Sequence, residues 1–463
     1  MIRYSRAGGL RKFQVETFIA LSRSQTILEE RTCWIDALCI VQDDDDDWAL
    51  EAARMGSTFE GSYVTLSATS AEDSSQGCLR PRKADQVVVI SERDLPGLKA
   101  LVHVRPYRVQ NAHAWLTVPN PGSEDRKRAP TLSRGWCFQE RLLASRVIHF
   151  SQDELVFECK SRCRCECGGS DHLSVKAMYL PLAQQQPDGA EISLTPTKTF
   201  AALQDRLSVL ALGLDKQRWR TLVEHYSTRK FTHLRDVLPA LSALAQRYRG
   251  ASEHKDKYLA GIWKSQLPWD LLWYSTRSTE CSRPTEENYR GGAAASLMNP
   301  GGCIYTAPTF SWASRVGPVS WISSYDSSRL TVRMLSTKCF PKSGDPYGEV
   351  LDGFVRLRGP VIFYSAEISG QPLGSLLRVR GMNFGRIHFD TREGEGIAAK
   401  SPLYILCVLK NEPNILYQPI REATALILRP SNARPGTYRR VGLIAWCDAS
   451  IFDDAPEKEV VIV

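Results

Sequence analysis

Apolar residues follow three different rhythms along this chain. The first is a nearly unbroken apolar run, Cys33 to Val41, interrupted only by Asp36. Apolar side chains on both faces predict a strand buried on both sides, as parallel sheets require. Five aspartates, Asp43 to Asp47, follow it. They suit the opening of a helix, whose free N–H groups attract negative charge. Trp48, Ala52, Met55 and Phe59 then recur at helical spacing, and Tyr63 to Ala68 is apolar again. Strand, helix and strand in so short a span predict a βαβ unit with a right-handed crossover, Met55 and Phe59 buried beneath it.

Further on, Gln86–Ile90 and Ala100–Val104 read as strands, and RGWCFQERLL as a helix. RVIHF and ELVFEC read as a hairpin turning at Gln152–Asp153. The second rhythm is helical. Trp219, Leu222, Val223 and Tyr226 share one face, as do Leu234, Val237, Leu238, Leu241, Leu244 and Tyr248, with Gly250 a natural stop. The stretch YLAGIWKSQLPWDLLWY reads as more apolar helix. In the last third the period changes to short β runs such as VRLRGPVIF, PLYILCVL, TALILRP and YRRVGLIAW, separated by turn residues. These predict an antiparallel sheet or sandwich. The expected organisation is an α/β domain over 1–175, a Pro- and Gln-rich linker over 176–196, a helical region over 197–290 and a β-rich domain over 291–463. The class is α+β overall.

At 463 residues the chain is long enough for several domains. Its formal charge of +8 is spread out, and no nucleic-acid-binding motif accompanies it, so nucleic acid is not an expected partner. Residues 1–20 contain no apolar signal core and no window reaches membrane-spanning length, which makes the cytoplasm or nucleus the expected location. Of thirteen cysteines, Cys33, Cys39 and Cys407 sit within apolar runs as small hydrophobes.

Candidate chemistry is sparse. There is no G-x-S-x-G elbow, no phosphate-cradling glycine loop, and the eight histidines form no pattern. Cys159, Cys163, Cys165 and Cys167 stand close enough for a tetrahedral zinc site, with His172 nearby; free thiols are the alternative. Asp36 lies inside a run read as a buried strand, so it needs a cation, backbone donors or a cleft. Arg134, Arg141 and Glu140 are its candidate neighbours, and a simple structural ion pair is the competing reading.

Two long motifs carry a resemblance. WIDALCIVQDD with the following ARMGSTF and SYVTLSAT, and then SRGWCFQERLLASRVIHFSQDELVFEC, resemble the core of the fungal heterokaryon-incompatibility (HET) domain. The resemblance departs at the start, where residues 1–31 contain no L-S-Y-x-W-G pattern and the family's first strand is expected to be missing. It implies a flavodoxin- or TIR-like parallel sheet and an intracellular effector of allorecognition-triggered cell death, acting with a protein partner. An enzyme, NAD-cleaving or recruited to a biosynthetic pathway, and a noncatalytic scaffold are the alternatives. Some TIR domains cleave NAD with a helix-borne glutamate, which singles out Glu140 as a catalytic candidate; Asp36, the carboxylate inside the apolar run, is the second. Trp34 or Trp136 would be a stacking surface. Ligands of open α/β sheets bind beyond the carboxyl ends of parallel strands. Gln42, Asp43, Ser70, Gln139 and Glu140 are therefore expected around one concave surface with a tryptophan on its wall.

Overall fold

The aspartate run does what its charge suggests. Asp44 caps helix α2 (Asp45–Gly61), its side chain accepting the backbone N–H groups of Asp46 at 2.9 Å and Asp47 at 3.0 Å. Asp45, Asp46 and Asp47 fill the first turn, where the helix dipole favours negative charge. The inward face of α2 buries Ala52 and Met55, while Phe59 is half-buried.

The run before it behaves differently from the expected strand. Asp36–Cys39 is a single helical turn, α1, closed by Cys39 N–H to Ile35 O at 2.8 Å and Ile40 N–H to Asp36 O at 3.0 Å. Cys33 and Asp36 are exposed, and Ile40 alone in the run is buried. The βαβ unit therefore lacks its first strand. A short apolar run fits a strand or a helical turn equally by pattern. Here Asp36 starts a turn, its Oδ1 accepting Ala37 N–H at 2.7 Å, and Trp34 packs edge-on against Phe59 with centroids 5.5 Å apart.

The second apolar run does become a strand, β1 (Thr65–Ser67). A two-stranded antiparallel ladder, β2 (Val88–Ile90) with β3 (Val102–Val104), comes next in the chain. Helix α3 (Trp136–Leu143) then leads into β4 (Arg146–Phe150), β5 (Leu155–Cys159) and β6 (Cys163–Cys165). The main sheet has the order β1-β4-β5-β6, with β1 parallel to β4 and the other pairs antiparallel. The sheet is thus mixed, with one parallel pairing among the described residues.

This computed structural model describes residues 32–73, 75–79, 88–91, 93, 96–97, 102–104, 127–159 and 163–166, then 214–251, 256–276, 305–315, 317–322, 328–365, 378–379, 382–383, 386–390, 402–411 and 421–463. The expected linker, the segment before residue 32, Cys167 and His172 lie outside these residues. The chain forms two compact units, residues 1–208 and 209–463.

In the second unit the first predicted helical stripe forms α4 (Leu214–Ser227). The second is split, Leu234–Val237 being a 3-10 turn and Leu241, Leu244 and Tyr248 lying on α5 (Pro239–Ala251), because Pro239 lacks an N–H and begins a new helix. The tryptophan-rich stretch read as further helix is instead a tight hairpin, Tyr258–Leu259 against Ile262–Trp263, followed by 3-10 turns. Its turn needs positive φ at Ala260 (50°) and Gly261 (97°). A Cβ on Gly261 would lie 2.6 Å from the Trp312 indole nitrogen, and the Gly261 carbonyl accepts the indole N–H groups of Trp219 and Trp312, both at 2.9 Å. Turn geometry and aromatic packing thus overrule the apolar composition. The β-rich part is an eight-stranded sheet in which Val350–Tyr364 pairs with both Leu403–Asn411 and Glu457–Ile462. Leu403, Ile405, Cys407, Ile427 and Ile444 are among its fully buried residues. The chain is α+β.

Candidate active site

The short helix, α2, β1, α3 and β4 together line a partly open cavity of about 1200 Å³ within the first unit. Its aromatic wall includes Trp34, Trp48 and Trp136, the last two meeting edge-to-face with centroids 6.2 Å apart. Asp36, Gln42, Arg134, Cys137 and Glu140 line the same space. Gln42 braces the rim: its Nε2 donates to the carbonyls of Ile40 at 3.1 Å and Asp36 at 3.3 Å.

Glu140, on this wall, has strongly perturbed acid–base chemistry. Burial of its carboxyl group, then the negative charge of Asp36, push its pKa up from 4.5 to about 7. The Cys137 side chain, by hydrogen bonding, and Arg134, by charge, pull the other way. Cys137 itself is raised well above its ordinary value, by burial first and by Glu140 next, so it stays a thiol. The site thus holds a carboxyl group that exchanges its proton near neutrality, which is what general acid–base catalysis needs.

A buried polar cluster lies under the same cavity. Arg141 Nε and Nη2 donate to Glu158 at 2.8 and 3.0 Å. His149 Nε2 lies 3.0 Å from Glu158 Oε2, and His149 Nδ1 lies 2.9 Å from Thr69 Oγ1. Burial alone would raise Glu158, but the Arg141 charge and the His149 and Arg141 hydrogen bonds hold it far below the usual carboxylate range.

The sequence-predicted residues separate into two groups. Asp36, Gln42, Trp136 and Glu140 line the cavity. Asp43 and Ser70 are not among its lining residues; Asp43 is exposed, and Ser70 N–H is bonded to Phe150 O at 3.2 Å. Gln139 is buried on α3 away from the lining, its side-chain N and O without hydrogen-bond partners among the described residues. Asp36 is exposed rather than buried, and the expected partner Arg141 is committed to Glu158. Cys163 and Cys165 pack beside Ala129, Leu132 and Val156. Among the described residues no group of three or more His, Cys, Asp or Glu could hold a metal ion, and Cys159, Cys163 and Cys165 form no disulfide among them.

The sequence reading passed over His149, Glu158, Thr69 and Ser67. A signal for two of them was present: in RVIHF and LVFEC the inward positions are Val147 with His149 and Val156 with Glu158. A polar residue at an inward strand position needs a buried partner, and these two supply each other's.

Residues 11–140 match the family model described as heterokaryon incompatibility protein (HET). A search among curated proteins and one among solved structures each found no match. No helix among the described residues is long and apolar enough to cross a membrane.

Proposed function

We propose, from the HET match over residues 11–140, that this chain is an intracellular effector of heterokaryon incompatibility, and that it acts through an enzymatic pocket in its first unit. The observation that carries the enzymatic part is Glu140: a carboxyl group with a pKa of about 7 facing an aromatic-walled cavity of about 1200 Å³ beside a second carboxylate, Asp36. A hydrolase uses such a group as general base or acid.

The substrate is a nucleotide of the NAD type, the choice that kinship with TIR domains suggests. A tryptophan on the wall stacks the planar ring. Glu140 as carboxylate takes the proton of a water attacking the ribose carbon, and nicotinamide leaves as the neutral amide. Asp36 keeps Glu140 basic and favours positive charge developing on the sugar. A protein partner of the incompatibility system, met in the cytoplasm, switches the activity on.

The test is expression of the full chain and of Glu140→Ala in a fungal host, scored for growth arrest and NAD level together. Arrest with falling NAD in the parent, and neither in Glu140→Ala, is the expected result. Arrest that persists in a folded Glu140→Ala protein assigns the effect to binding alone and rejects the enzymatic reading.

A further inference from the structure

The cluster beneath the cavity has a direction, set by charge. Arg141 holds Glu158 as a carboxylate through two hydrogen bonds, so Glu158 can only accept. His149 Nε2, 3.0 Å away, must therefore carry the proton, which leaves Nδ1 of a neutral ring as an acceptor. Thr69 Oγ1 lies 2.9 Å from that Nδ1 and donates to it in preference to the Ser67 carbonyl at 3.3 Å. With its one proton used, Thr69 accepts from Ser67 Oγ at 2.9 Å. His149, Glu158 and Thr69 are all buried, whereas Ser67 is partly exposed and, with His149, lines the cavity. Register places the two ends together, since Ser67 on β1 pairs directly with His149 on β4.

We propose that Ser67 is a nucleophile for acyl transfer from a carboxylic ester, its proton drawn through Thr69 to a His149 that Glu158 and Arg141 hold in place. Ser67 Oγ bonds to the ester carbonyl carbon. As it does so its proton passes to Thr69, which gives its own to His149 Nδ1. The carbon–oxygen bond to the alcohol breaks, and the departing alkoxide takes a proton from water. The hydroxide so formed attacks the acyl carbon and releases the carboxylic acid. Ser67 leaves as an alkoxide and recovers the proton stored on His149 by way of Thr69. Positioning residues and nucleophile thus form an acid–histidine–hydroxyl chain with one additional hydroxyl, built without the G-x-S-x-G elbow. The aromatic wall favours an aryl or other apolar ester. This role is separate from that of Glu140, which does not belong to the chain.

The experiment exposes the full chain to a fluorophosphonate probe and maps the adduct by peptide mass spectrometry. The expected result is one adduct on Ser67, absent in Ser67→Ala and still formed in Glu140→Ala, so the two proposals fail separately. Thr69→Val should slow labelling about 100-fold, the scale of a lost proton acceptor, while Thr69→Ser restores the rate. Circular dichroism and thermal melting verify the fold of each variant. Absence of a Ser67 adduct on the folded parent chain overturns the proposal, as does Thr69→Val labelling at the parental rate. If Thr69→Val does not fold, the comparison of the parent with Ser67→Ala and Thr69→Ser decides it.

Discussion

Glu140 is where a single residue's environment decides its chemistry. Its folded pKa of about 7 lies above the 4.5 of an ordinary glutamate, so the folded chain binds the proton more tightly than the unfolded chain does. The resulting stabilisation is full below the unfolded value and is lost as pH rises through about 7. Glu140→Gln should therefore leave stability unchanged at acid pH and raise it by about 1–2 kcal/mol at alkaline pH, a figure reduced for the solvent that still reaches the residue. Urea unfolding of both proteins across that range checks it; a variant equally stable to the parent at alkaline pH would show that Glu140 is not desolvated. Glu140 stands out in the sequence as a polar residue in an apolar motif, but its raised pKa does not. That depends first on burial of the carboxyl group in the folded chain, and then on Asp36, about one hundred residues earlier, facing the same cavity.

At the scale of elements, local chemistry was a good guide wherever a residue acts on its immediate neighbours. The aspartate run is legible because a cap needs only the next three residues. Asp44→Ala should cost about 1 kcal/mol through the two lost hydrogen bonds, seen as a lower thermal midpoint, whereas Asp43→Ala should be nearly silent. Equal losses from both would mean that net charge, not the cap, stabilises α2. The short helix was not legible. Its apolar residues are the ones a buried strand would use, and they line a cavity wall instead. The Tyr258–Trp263 hairpin misleads for a related reason: its turn needs positive φ at Ala260 and Gly261, and it is held by indoles from distant positions that bond the Gly261 carbonyl.

For the whole molecule, the two units are expected to be separable in stability. The second has its own buried sheet core, around Leu403, Ile405, Ile427 and Ile444, and its own aromatic cluster around Trp219 and Trp263. Residues 209–463 expressed alone should unfold in one cooperative thermal transition, followed by tryptophan fluorescence. A broad, non-cooperative melt would show that the first unit is needed to complete that core.

By itself, the sequence determined the α+β class, the capped helix, the first helical stripe, the β-rich last third and the HET resemblance. All of these follow from short-range periodicity or from motifs read in order. Only the tertiary structure decided that Cys33–Val41 supplies a turn and a cavity wall, and that Arg141 belongs to Glu158 rather than to Asp36. It also decided that Ser67, Thr69, His149 and Glu158 form one hydrogen-bonded chain. Those partners lie on β1, β4 and β5, up to about ninety residues apart, and nothing in a local pattern specifies which strands become neighbours. Pairing between distant strands is set by the burial of the whole sheet, and the polar groups it traps must then satisfy one another.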